Sequence, residues 1–165
     1  MGSTTFSASY VLDHFTPTLG ELQWGLAREW IRPADCVAIC LAKMNSGAQL
    51  EDVEERVGLL LSDELEEVSA ILGIDGQDAV DPEAPEAELW KYLVVRQAVD
   101  TLPGFEDQLE AFADLWCDFD HDAELAGLVR FLPPPEGAAV GLPAMKQRLD
   151  KYLADSAEHL KDNRP

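Results

Sequence analysis

A chain of 165 residues that is 47% hydrophobic carries enough apolar matter for a core without metal or disulfide staples, which excludes a disordered chain. Twelve Lys and Arg against 32 Asp and Glu leave a net charge of −20, which opposes direct contact with nucleic acid or an anionic membrane. Three cysteines, an odd number, argue against a disulfide framework, and no apolar run approaches the roughly 18 residues a bilayer span needs, so a cytoplasmic protein is expected.

Met1-Gly2-Ser3 has the form of a cloning remnant; a myristoylation signal fails because Phe6 stands where Ser or Thr is required. Thr4 to Leu12 alone has strand-like composition, so a short extended N-terminal segment is expected, with nothing obvious to pair with. Thr18-Leu19-Gly20-Glu21 is a capping box, predicting a helix to about Trp30 with Leu22, Leu26 and Trp30 on one face. Pro33 opens a second helix carrying Val37, Leu41 and Met44 before Asn45-Ser46-Gly47 stops it. Leu50, Val53, Val57 and Leu60 or Leu61 mark a third; Ser62 is placed to cap a fourth, with Leu65, Val68 and Leu72, ended by Gly73. The acidic stretch from Asp75 to Ala87, with Pro82 and Pro85, predicts an exposed loop.

Helicity resumes with Leu89, Trp90, Leu93 and Val94 and stops near Pro103-Gly104; Phe105, Leu109, Phe112 and Trp116 then give a clear stripe. A short helix is predicted from Asp122 to Phe131, closed by Pro133-Pro134-Pro135. Met145, Leu149, Tyr152, Ser156 and Leu160 line a last helix after Pro143. The expected fold is all-α: one irregular helical bundle over residues 1–165, with about seven or eight helices and no repeat signature.

Charge is regional. Glu51 to Glu88 holds fourteen acidic residues against Arg56 alone, and Asp100 to Glu124 holds nine carboxylates with no Lys or Arg. The natural complement of such stretches is a basic protein.

Motifs for chemistry are weak. Cys36 and Cys40 are four apart, as are Cys117 and His121, a spacing that could present metal ligands on a helix, yet buried Cys more often acts as a small hydrophobe. Asp118-Phe119-Asp120-His121-Asp122 opens like a calcium loop, but Ala123 and Val129 occupy the positions that require Gly and an acidic ligand. No nucleophile elbow, phosphate-binding loop or H-E-x-x-H motif is present, so neither catalysis nor a metal or other cofactor is expected. Of the four Trp residues, Trp24 falls off its helical stripe and is expected to be partly exposed.

Two stretches resemble a family. Leu22 to Ile31 (LQWGLAREWI), followed by a Pro-led helix, is similar to the N-terminal signature of the DUF2247 family of small bacterial proteins. Asp118-Phe119-Asp120, then Leu128-Val129-Arg130-Phe131-Leu132-Pro133, resembles its second signature; the likeness runs from roughly Leu19 to Pro134, leaving the acidic insertion and the C-terminal helix outside it. Some members are thought to be immunity proteins of polymorphic toxin systems, so the resemblance implies inhibition of a cognate toxin by binding, without catalytic residues. A nuclease is one toxin whose basic cleft an acidic inhibitor would suit. The candidate partner contacts are Asp63, Glu64, Glu66, Glu67, Asp118, Asp120, Asp122 and Trp24. The alternative is a helical adaptor or DNA mimic that sequesters a basic protein; a metal-dependent hydrolase using the aspartates is a third.

Overall fold

Among residues 5–74, 81, 83–133, 136–137 and 139–164, which the computed structural model describes, every regular element is a helix. Their contacts group into two compact units, Met1–Asp81 and Pro82–Pro165. Most of the loop expected from Asp75 to Ala87 (75–80 and 82) lies outside the described residues; Asp81 and Glu83 are exposed.

The first unit holds α1 (Ala8–His14), α2 (Leu19–Ala27), α3 (Pro33–Asn45), α4 (Asp52–Gly58), a 3-10 turn (Leu65–Glu67) and α5 (Val68–Leu72). The extended segment expected at Thr4 to Leu12 is instead largely α1. The Ser7 hydroxyl accepts from the Tyr10 amide at 3.2 Å, and the Ala8 amide donates to the Asp35 carboxylate at 3.2 Å. Phe6, Ala8 and Val11 are buried. Burying Phe and Val is worth about 1.5–3 kcal/mol each, more than the roughly 1 kcal/mol that strand propensity can offer.

Thr18 caps α2 as predicted, accepting from the Glu21 amide at 3.3 Å. The helix ends at Ala27, short of Trp30, because Glu29 turns to φ 60 and the Trp30 amide reaches back to the Gly25 carbonyl at 2.8 Å. Pro33 starts α3, which packs on α4 through a close approach at Gly58. A Cβ there would meet Met44 Sδ at 2.9 Å, Leu41 N at 3.2 Å and Cys40 C at 3.3 Å. Lys43 is buried beside the same crossing, donating to the Pro17 carbonyl at 2.9 Å and paired with Glu54. Ser62 is not the cap expected of it: the Glu64 carboxylate accepts from the Leu61 amide at 2.8 Å, and a 3-10 turn leads into α5. Gly73 ends α5 at φ 74, the left-handed conformation glycine allows.

The second unit holds α6 (Ala87–Thr101), α7 (Phe105–Asp118), α8 (Ala123–Ala126) and α9 (Leu142–Asp162). Leu89, Trp90, Lys91, Tyr92, Leu93, Val95 and Ala98 are all buried, making α6 a central helix against which α7 and α9 pack. The helix expected to reach Phe131 stops at Ala126, after which Leu128 and Val129 are buried. Among the described residues there are nine α-helices; α1 is the one beyond those the periodicity predicts.

Candidate partner-binding surfaces

In the first unit Asp63, Glu66 and Glu67 are exposed, while Glu64 is half-buried and engaged with Leu61. Trp24 overturns its expectation. It is 5% exposed, its Nε1 donates to the Asp81 carbonyl at 3.0 Å, the Arg28 guanidinium lies 5.4 Å over its ring and Trp30 meets it edge-on. Short α2 buries Glu21, Leu22, Trp24, Gly25 and Leu26, so a residue off the predicted stripe still faces the interior. Trp116, on its stripe, is the half-buried one.

In the second unit Asp118 and Asp120 are exposed where α7 ends, and left-handed conformations at Asp120 (φ 53) and His121 (φ 65) reverse the chain. Asp122 is differently placed: one carboxylate oxygen caps α8, accepting from the Glu124 and Leu125 amides at 2.9 and 3.1 Å, and the other takes a 2.9 Å bond from Lys91. Its side chain is only 15% exposed, so it serves the fold ahead of any partner.

Lys91 is the residue sequence reasoning misses. Its ammonium, 2% exposed, lies between Glu88 at 2.6 Å and Asp122 at 2.9 Å, with the Phe119 ring 5.9 Å away. Burial alone would lower its pKa, but the bonds and charges of Glu88 and Asp122 outweigh burial and hold it above the ordinary value. Lys91 therefore stays charged at neutral pH, held by its two carboxylate partners. Burial pushes the Asp122 carboxyl up, and the Lys91, Leu125 and Glu124 bonds more than reverse it.

Beside this triad α6, α8 and α9 enclose an open cavity of about 750 Å³, lined among others by Glu88, Glu124, Arg148, Tyr152, Ser156 and His159. Burial, followed by the Glu88 charge, raises the Glu124 carboxyl; burial and the Glu88, Glu124 and Asp122 charges push the Tyr152 phenol far above its usual value. Arg148 ties α9 to the preceding segment through the Gly127 and Ala139 carbonyls at 2.9 and 3.0 Å.

Cys36 and Cys40 are fully buried and Cys117 is exposed. Desolvation raises the Cys36 thiol strongly and pushes Cys40 up to about 11, the behaviour of protonated hydrophobes. Among the described residues no three His, Cys, Asp or Glu side chains are grouped to hold a metal ion, and no helix is long and apolar enough to cross a membrane.

Fold and surface together define an acidic, all-α protein in which Lys43, Lys91 and Asp122 serve internal ties while Asp63, Glu66, Glu67, Asp118 and Asp120 are exposed. The chain belongs to the family described as "Uncharacterized protein conserved in bacteria (DUF2247)", whose sequence model matches residues 8–157. The match extends beyond the stretch that the two signatures delimit, taking in α1 and most of α9. No curated protein and no solved structure matches the chain.

Proposed function

We propose that this protein is a non-enzymatic immunity protein, which docks its carboxylate surface onto a basic toxin domain and blocks it. One observation carries the reading. Glu51, Asp52, Glu55, Asp63, Glu66 and Glu67 are exposed in the first unit, and none forms a salt bridge among the described residues. Several of the scarce cations are meanwhile committed elsewhere: Lys43 to Glu54, Arg32 to Asp35, Lys91 to Glu88 and Asp122. Holding like charges together uncompensated costs stability through mutual repulsion, and a cationic surface relieves that cost on binding. Such fields accelerate association by roughly 10 to 10³ and are screened beyond about 8 Å at physiological salt. The immunity role is the one that the family resemblance implies, and a nuclease with a basic cleft is the toxin class that the charge suits best.

Coexpression with the C-terminal domain encoded by the gene directly upstream tests the proposal. Restored growth and a copurifying one-to-one complex, associating more slowly as salt is added, are expected. An unrelieved toxin with no complex would overturn it. Capture of a host DNA-binding protein in its place would favour the DNA-mimic reading.

A further inference from the structure

Phe131 is an aromatic side chain the fold leaves outside. It is 67% exposed, in the turn after α8, yet its ring is braced: Trp116 meets it edge-on at 6.1 Å, and His121 packs on Trp116 at 4.3 Å. Beside it Leu109 and Ala113 of α7 floor an open groove of about 620 Å³, whose edge is formed by Glu106, Glu110 and Asp114. Four-residue spacing places those three carboxylates in one row along α7. Arg130 answers Glu106 at 3.5 Å, whereas Glu110 and Asp114 form no salt bridge among the described residues.

An apolar floor bordered by uncompensated carboxylates is the complement of a helix with an apolar stripe flanked by Lys and Arg. A second copy of the chain is disfavoured, because each copy carries a charge of −20 and brings the same acidic row. Nucleic acid and anionic lipid are opposed by the same field. A bare polycation would use the row and ignore the ring.

We propose that the α7 groove receives an amphipathic basic helix of a partner protein, with Phe131 as the apolar anchor and Glu110 and Asp114 as the charge contacts. The inference rests on the reading of the chain as a binder of cationic protein and is independent of the toxin's identity. Rigid aromatic side chains of this kind carry most of the energy at protein interfaces.

The probe is a fluorescent Leu/Lys peptide about 18 residues long, five helical turns with leucines on one face, titrated into the full chain by anisotropy and mapped by amide chemical shifts. Shifts centred on Leu109, Ala113 and Phe131 are expected. Phe131→Ala, at an exposed site, should weaken binding about tenfold, and Glu110→Lys with Asp114→Lys by a similar factor. Glu66→Lys with Glu67→Lys, an equal charge change on residues that do not line the groove, should weaken binding less than the Glu110 and Asp114 reversals do. Shifts centred elsewhere, or equal losses from both charge pairs with none from Phe131→Ala, would overturn the proposal. So would a dimer of the chain that Phe131→Ala dissolves. The map needs no toxin, so it stands or falls apart from the immunity reading.

Discussion

Lys91→Met removes the cation between Glu88 and Asp122 while preserving side-chain length. Orphaning a carboxylate in a dry interior costs about 3–5 kcal/mol. Here the Glu88 and Asp122 side chains keep 28% and 15% of their exposure, so water recovers part of that, and a loss of about 2–3 kcal/mol is expected. With a urea slope of about 1–3 kcal/mol per molar, the midpoint should fall by about 1 M at unchanged slope. Amide exchange along α6 and α8 should report the loss directly. The pH dependence fixes the cause. Asp122's folded pKa lies below its unfolded value, so its contribution is present above the unfolded value and lost as pH falls through the folded one. The gap between wild type and variant should therefore narrow as pH falls below 3.8 and on through the lowered folded value of Asp122. Asp122→Asn in the Lys91→Met background should restore part of the loss. A variant as stable as wild type at neutral pH, or a deficit unchanged in acid, would refute the assignment of the triad as the tie between α6 and α8.

Gly58→Ala should cost about 1–3 kcal/mol in urea titration, because two of the three atoms its Cβ would meet are α3 backbone. Trp24→Phe should lose about 1–2 kcal/mol with the bond to the Asp81 carbonyl, since the indole is buried. A thiol reagent should label Cys117 alone in the native protein and all three cysteines in denaturant. Stability should fall as pH rises from 9.0 through about 11, because the unfolded thiols ionise there while Cys36 and Cys40 hold their protons in the fold. The slope is about 1.4 kcal/mol per pH unit for each thiol, and Cys36→Ala should remove one share of it.

Local chemistry was legible in the sequence and long-range pairing was not. Thr18, Pro33 and Gly73 mark their helix ends because capping depends on neighbours within a turn. The strand-like run before Leu12 misleads because its composition is decided by burial against Trp30 and Asp35, far along the chain. Trp24 misleads because a single stripe presumes one packed side, and α2 is covered more broadly. Asp63, Glu66 and Glu67 lie on the surface as the acidity suggests, whereas Asp122 is diverted by a lysine 31 residues away, a partner that no spacing rule identifies. The match to the DUF2247 family was readable from two short signatures. Phe131 lies within one of them, but its exposure emerges only from the structure.

The burial of Lys43 and Lys91 has a practical consequence. The sequence contains five lysines, and the other three, Lys146, Lys151 and Lys161, are exposed on α9. Amine-directed acylation or cross-linking of lysine will therefore mark that single helix. Cross-linking maps of any complex will be blind to the acidic surfaces unless carboxylate-directed reagents are used.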